Sequence, residues 1–449
     1  MHQRNRTWVL GSDPVERVRQ RTMAIEGGDG STLNLNFSTG VLDPRISFTR
    51  GLATASYVNS SGYVVTNAPA NSPRFDYSPT NIGEQRGLLI EGLAINICPQ
   101  SQALTTGWQN VSMNTPTVPS SPTITDPFGG TSATWKLVAA SSATSVPHTW
   151  RHATLTLTAA SYTFSFWAKA AEYDRIMFCD PGTGQGGCLF VLTGNGTATV
   201  VANVVTPTNP QITPYPNGWY RCSVTMVTSA GNYAFGISGY PSSGATTGAF
   251  GPQYISDGTS GVYATAMQIE IGTGASSYIP TGASQVIRNA DLCSMTGTNF
   301  SSWFNNATSG TFLVAFDLGR WLGNLNDQAT QLAIGAYSPG TLTMLQSGNQ
   351  TLTTSISGSI WGNTFNAAYA IATINPKNNK AALTFNGLST FATLNGVVGA
   401  TATTTGSVSR LSLYIGSNDT RDRINGTIQS IKYYPTVFTS AQLQALTAL

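Results

Sequence analysis

Charge is what this chain has least of. Asp, Glu, Lys and Arg make up 9% of its 449 residues, against roughly 25% in an ordinary soluble domain, so Ser, Thr, Asn and Gly must cover its surface. The formal net charge is only +3, which excludes a general nucleic-acid binder. Histidine is nearly absent. His2, His148 and His152 are the full set, no G-x-S-x-G elbow accompanies them, and a serine triad is therefore not expected. His148 and His152 precede the strand-like run 154–157, so they do not read as a helical metal pair. The five cysteines show no C-x-x-C spacing, which excludes the usual structural zinc frames. There is no phosphate loop and no dinucleotide fingerprint. No apolar run reaches the ~18 residues of a membrane span, and no secretory apolar segment follows the Arg-rich start. Glutamate stops at Glu270, leaving Asp291, Asp317, Asp327, Asp419 and Asp422 beyond it, so the second half lacks the paired carboxylates of a glycosidase. These gaps lead to the expectation that the chain is not an enzyme and carries no cofactor. Calcium at Asp317, Asp327 or Asp419 is conceivable, but the ligand pattern is too sparse to assign it.

Turn formers and alternating apolar residues are abundant. With 46 Gly and 22 Pro, and strand-like runs separated by polar turns, the chain reads as all-β: tandem β-sandwiches, a jelly roll plus a concanavalin A-like sandwich, with an extended N-terminal arm. Four segments are expected. Residues 1–32 form a basic arm, in which Arg4, Arg6, Arg17, Arg19 and Arg21 outnumber Asp13 and Glu16; these five arginines are candidate anchoring residues. Residues 33–102 form a β-hairpin module turning at 59–62. Residues 103–288 form the first sandwich, with strands read at 133–138, 154–157, 162–168, 175–178, 189–192, 197–205, 219–227, 233–237 and 261–269. Residues 289–449 form the second sandwich, after a linker at Arg288-Asn289-Ala290-Asp291, with Asn386-Gly387 as a hairpin turn. At its end, Leu411, Leu413 and Ile415 alternate, a strand runs over 427–434, Pro435 stops it, and Ser440 is the expected N-cap of a helix with Leu443 and Leu446 on one face.

Three stretches resemble known families. The order of a strand ending in Ile415-Gly416, a loop, Asn425-Gly426-Thr427-Ile428 and a Leu-rich helix resembles the end of concanavalin A-like, laminin-G-like sandwiches; the Glu-x-Asp strand of the hydrolases with that fold has no counterpart here. Phe48-Thr49-Arg50, Tyr57-Val58, Ser61-Gly62, Pro73-Arg74-Phe75-Asp76-Tyr77 and Arg86-Gly87-Leu88-Leu89-Ile90-Glu91 resemble a module of tailed-phage structural proteins, although Ala94-Ile95-Asn96-Ile97 stands where that family commonly has Arg-Thr-Asn-Leu. The run 162–170, Asn217-Gly218-Trp219-Tyr220-Arg221, Gln268-Ile269-Glu270 and Ser277-Tyr278-Ile279-Pro280-Thr281 resemble a carbohydrate-binding-module-like domain of the same phage proteins.

The resemblances imply a phage virion structural protein of fibre, spike or head-decoration type. It would be made in the host cytoplasm without a signal peptide, displayed on the virion surface, joined to capsid or tail proteins through the arm, and bound to host-surface glycan for adsorption. A homo-oligomer is implied, a trimer if the chain is a fibre. A decoration protein without ligand, a polysaccharide depolymerase and a secreted bacterial adhesin are the rival classes. Sugar rings stack on aromatics while their hydroxyls meet amides and carboxylates, so Asp317, Trp321, Asn324, Asp327, Trp361, Asn363 and Phe365 are the candidate glycan-binding set; the competing reading is that Trp361 and Phe365 cap the core. Arg74, Asp76, Arg86 and Glu91 are dense charges for this chain, read as paired structural charges at a packed junction rather than as catalysts. Cys179 and Cys188 flank a glycine-rich loop, leaving a hairpin disulfide and two free thiols both open.

Overall fold

The computed structural model describes residues 30–305, 307–318, 328–334, 342–349, 354–361, 365–371, 377–403, 410–417 and 423–449, those between 328 and 371 by backbone only. The chain forms tandem β-sandwiches, and its described residues gather into two compact units. One takes residues 49–291, and the other takes the described residues before 49 and from 292 onward. The sequence reading had drawn four segments. The five arginines of the arm, and the arm up to residue 29, lie outside the described residues.

In the unit 49–291, one sheet runs in spatial order Thr208–Tyr215, Trp219–Thr228, Ala160–Ala170, Gly261–Ile271, Trp135–Val138. The facing sheet runs Thr197–Ala202, Gly186–Val191, Arg175–Cys179, Gly236–Tyr240, Thr149–His152, Trp108–Val111. Period-two alternation explains the sandwich. Ala160–Ala170 sends Phe164, Phe166 and Ala168 inward and Thr163, Ser165, Trp167 and Lys169 to the other face. Phe164 meets Phe178 of the facing sheet at 4.7 Å between ring centroids, and Phe166 meets Phe190 edge-on at 5.8 Å. The outer face of the first sheet is also covered. Val64 packs with Trp167, Trp219 and Tyr278, Ser56 donates to the Tyr278 carbonyl at 2.6 Å, and Asn96 donates to the Met267 and Ile279 carbonyls while accepting from the Ile269 N–H.

The other unit is a second sandwich. One sheet includes Ser389–Leu394, Asn379–Asn386, Ser309–Leu318 and Gly426–Tyr434 as successive neighbours, and Leu33–Asn36 pairs with Gly426–Tyr434, Leu33 opposite Tyr433. The second sheet includes Leu292–Thr296, Ser412–Ile415, Gln328–Ile334, Leu342–Asn349, Thr354–Trp361 and Phe365–Ile371 in that order. The helix Gly297–Phe304 brings Trp303 and Phe304 against Tyr433 and Phe312. Three local readings are corrected. The closing helix Ser440–Thr447 is capped by Thr439, whose hydroxyl and the Gln442 side chain form a reciprocal capping box. The hairpin turn is Gly387 and Leu388, since Asn386 still pairs with Ser389. Leu411 lies outside the strand Ser412–Ile415 and is 67% exposed.

Candidate functional site

The densest polar constellation among the described residues lies where residues 50–96 pack on the sandwich of their own unit. Arg74 bridges Glu91 at 2.7 Å and Asp291 at 2.5 Å; Arg288 reaches Glu91 at 3.1 Å and Arg50 reaches Asp291 at 3.4 Å. All five side chains are buried. The carboxylates are saturated further: Glu91 accepts from the Ser277 N–H and hydroxyl, Asp291 accepts from the Glu91 N–H, and the neighbouring Glu270 accepts from Gln268, the Ser276 N–H and the Ser276 hydroxyl. Burial works to raise the Glu91 pKa, but Arg288, Arg74 and the Ser277 hydrogen bonds outweigh it and hold it at about 2. Burial likewise opposes the Arg74 charge, and Asp291 and Glu91 overcome it, raising its pKa. With neither solvent access nor a free acceptor, this network binds the covering segment to the sheet; it has no geometry for turnover. Arg288 and Asp291, expected in a linker, belong to its centre.

Beside it lies a second, half-buried set. Asp76 and Arg86 come from the paired strands Arg74–Tyr77 and Gln85–Ile90, where Asp76 stands opposite Gly87 and Tyr77 opposite Gln85, so Arg86 is the extra residue of a β-bulge. Bulges re-aim side chains, and Arg86 acts electrostatically on both Asp76 and Tyr215. Burial raises Asp76 to about 6, against the lowering pull of the Val58 N–H, bound at 2.6 Å, and of Arg86. Burial raises the Tyr215 pKa, and Arg221 pulls it part of the way back down. The Arg221 guanidinium sits 4.7 Å from the Trp167 ring centre, and Trp167 meets Tyr215 edge-on at 5.7 Å. Arg221, Trp167 and Thr265 form one cross-strand row, Trp167 being opposite both of the others. In that row Arg221 Nε, Trp167 Nε1 and Thr265 Oγ1 are buried atoms without a protein hydrogen-bond partner. These three atoms are buried beneath the covering residues and are not open to a ligand; the Arg221 Nη2 donates to the Ser276 carbonyl at 2.7 Å and to Ser165 Oγ at 3.3 Å. Tyr63, whose hydroxyl accepts from Asn217, and Lys169, hydrogen-bonded to the Asn217 carbonyl, meet at Asn217, two residues after Tyr215. Two guanidiniums, a carboxyl raised by burial to about 6 and aromatic walls can hold a carboxylate while meeting hydroxyls.

The structure distributes the sequence candidates unevenly. Arg74 and Glu91 fall in the buried network, and Asp76 and Arg86 in the half-buried set. Of the candidate glycan set, Trp321, Asn324, Asp327 and Asn363 lie outside the described residues. Trp361 and Phe365 stand opposite each other on adjacent strands, described by backbone only. Asp317 is buried and accepts from the Asn378 N–H at 2.6 Å and from the Gln429 side chain at 3.1 Å, so its carboxylate braces the fold rather than facing a ligand. Cys179 and Cys188 are free thiols: Cys188 pairs with Phe178 and Cys179 with Gly187, and that one-residue offset sends the two side chains to opposite faces of the sheet. Sequence reading missed Arg50, Arg288, Asp291 and Tyr215, and it did not single out Arg221 within its motif. No group of three or more His, Cys, Asp or Glu that could hold a metal ion occurs among the described residues, and no described helix is long and apolar enough to cross a membrane.

No family model matches this chain, and no curated protein matches it. Solved structures do align with it. A Ruminococcus gnavus IT-sialidase CBM40, bound to α2,3-sialyllactose, matches at 16% identity over 31% of this chain and 83% of its own, with a TM-score of 0.26. Trypanosoma rangeli sialidase in complex with 2,3-difluorosialic acid matches at 10% identity over 75% of this chain and 62% of its own, with a TM-score of 0.28. Mouse laminin α1 domains LG4-5 match at 10% identity over 66% of this chain and 85% of their own, with a TM-score of 0.20. The expectation that the chain is not an enzyme is corrected by the sialidase matches, which extend over 70–75% of it, and it is withdrawn. At these scores the alignments transfer no catalytic residue to this chain.

Proposed function

We propose that this chain is a surface-display protein of a tailed-phage particle that recognises acidic host-surface glycan through Asp76, Arg86, Tyr215 and Arg221. The observation that supports the binding half of this reading is the gathering of half-buried Asp76, Arg86, Tyr215 and Arg221, with Arg86 on its bulge acting on both Asp76 and Tyr215. A ligand bearing a carboxylate complements such a pair of guanidiniums better than a neutral one does. The phage half rests on the motifs from Phe48 to Glu91, and Arg74, Asp76, Arg86 and Glu91 of those motifs supply the junction network and two members of the site. Incorporation into the particle through the basic arm, in an oligomer, completes the reading.

The test is a binding comparison between oligosaccharides ending in a sialate or a uronate and their neutral counterparts, using wild type and the Arg221→Gln and Arg86→Gln variants. Preference for the acidic series, lost in both variants, supports the reading. Equal binding of both series, or variants that bind as wild type does, contradicts it.

A further inference from the structure

The loop between Cys179 and Cys188 is built for something other than a disulfide. Asp180, fully buried, accepts from the backbone N–H of Gly182 at 3.2 Å, of Thr183 at 3.3 Å and of Gln185 at 3.4 Å, as well as from the Thr183 hydroxyl. Its carbonyl accepts from the Gly184 N–H at 2.9 Å. A buried carboxylate collecting successive N–H groups fixes the loop before any ligand arrives. Gly184 has a φ of +61°, and a Cβ there would lie 2.5 Å from Cζ and 2.7 Å from Cε1 of Phe250. The Phe250 ring therefore rests directly on bare backbone. Its other side is open: Phe250 is 51% exposed, about what one covered face and one free face give, and it is the one aromatic side chain among those described that is classed as exposed. Polar groups are tied to the same loop. Asn203 Nδ2 donates to the Gly184 carbonyl at 2.7 Å and Gln185 Nε2 donates to Thr183 Oγ1 at 3.2 Å; the amide oxygens of both residues take no part in those bonds.

We propose that Phe250, seated on Gly184 and flanked by Thr183, Gln185 and Asn203, is a second saccharide subsite that takes the apolar face of a neutral sugar ring. A pyranose packs its C–H face against an aromatic ring while its hydroxyls meet amide groups at the rim. The charge at this loop, that of Asp180, is buried and spent on the loop's own N–H groups, so the chemistry selects a neutral ring, unlike the arginine-bearing site. The inference extends the carbohydrate reading but uses none of that site's residues.

The experiment is saturation-transfer NMR with the full chain and neutral oligosaccharides ending in glucose, galactose or N-acetylglucosamine. It compares wild type, Phe250→Ala, Phe250→Trp and Arg221→Gln, with near-UV circular dichroism confirming that each variant is folded. Transfer to ring C–H protons in wild type and Arg221→Gln, weakened about tenfold in Phe250→Ala and kept in Phe250→Trp, is the expected result. No transfer from any of the three sugars, or undiminished transfer in Phe250→Ala, overturns this subsite and leaves the acidic-glycan reading untouched. Transfer lost only in Arg221→Gln also overturns it, by placing the neutral sugar at the arginine site.

Discussion

Arg74 and Asp291 stand 217 residues apart in sequence and 2.5 Å apart in space. Their contact ties the covering segment, which carries Arg74, to Asp291, the last residue of the stretch 49–291. The same guanidinium holds Glu91, so one side chain neutralises two buried carboxylates. Removing one partner leaves a buried charge uncompensated, which costs about 3–5 kcal/mol. Arg74→Met is therefore expected to lower the urea midpoint of the unit by a corresponding amount. Arg45→Met, which breaks the more exposed pair between Arg45 and Asp43, should cost under ~1 kcal/mol. Equal effects of the two substitutions would contradict this ranking.

Stability should depend on pH with two limbs of opposite sign. Glu91 is depressed from 4.5 to about 2, so its contribution is present above the unfolded value and is lost as pH falls through the folded one. Asp76 is raised from 3.8 to about 6, so its contribution is present below the unfolded value and is lost as pH rises through about 6. From these two groups, denaturation midpoints should rise between pH 7 and about 4.5 and fall below that. Asp76→Asn should flatten the upper limb alone and Glu91→Gln the lower limb, read from urea melts across the range.

The five thiols should be silent in the native protein. Cys98, Cys179, Cys188, Cys222 and Cys293 are all buried and in no disulfide, and burial pushes the Cys179 and Cys188 thiols up to about 12, far from the thiolate that reacts. A colorimetric thiol reagent should titrate five groups in guanidinium and essentially none under native conditions. Three groups in guanidinium without reductant would restore the Cys179–Cys188 bridge.

Gly310 offers a matching test in the C-terminal sandwich. A Cβ at this position would lie 2.5 Å from the Tyr433 ring, inside a cluster that also holds Phe312 and Phe385. Overpacking of this kind costs about 1–3 kcal/mol. Gly310→Ala should lower the thermal midpoint, whereas Gly387→Ala, where nothing lies within 4 Å but φ is +60°, should act through backbone strain alone and cost less.

Much of the fold was legible because its signal is local. The strand read at 162–168 is observed as Ala160–Ala170, the one read at 175–178 as Arg175–Cys179, and the one read at 219–227 as Trp219–Thr228; each alternates strongly enough to announce itself. Strands lacking such contrast, among them Ser142–Pro147 and Thr208–Tyr215, were not read. Along Gly426–Tyr434 the pairing register shifts between Ala315 and Phe316, skipping Gln429, which puts Ile428 and Ile431 together in the core, a break in period two that no sequence pattern announces. The junction charges on the N-terminal side stood out against a nearly uncharged chain, but their partners Arg288 and Asp291 looked like linker because pairing at a distance of two hundred residues leaves no periodic trace. The half-buried site was hidden for a similar reason. Arg86 reaches it through a bulge and Arg221 through a cross-strand row, both properties of register rather than of sequence pattern.

Particle attachment is tested separately. Deletion of residues 1–30 should abolish incorporation into particles assembled without the native copy while leaving saccharide binding intact. Normal incorporation of the truncated chain would move the anchor elsewhere.

The central claim is most directly tested by calorimetric titration of wild type and Arg86→Gln with a sialate-terminated oligosaccharide at low and high salt. Binding that weakens with salt, and that falls about tenfold on loss of the one guanidinium while the urea midpoint is preserved, is the predicted result. Binding insensitive to both salt and Arg86, in a protein that remains folded, would contradict it.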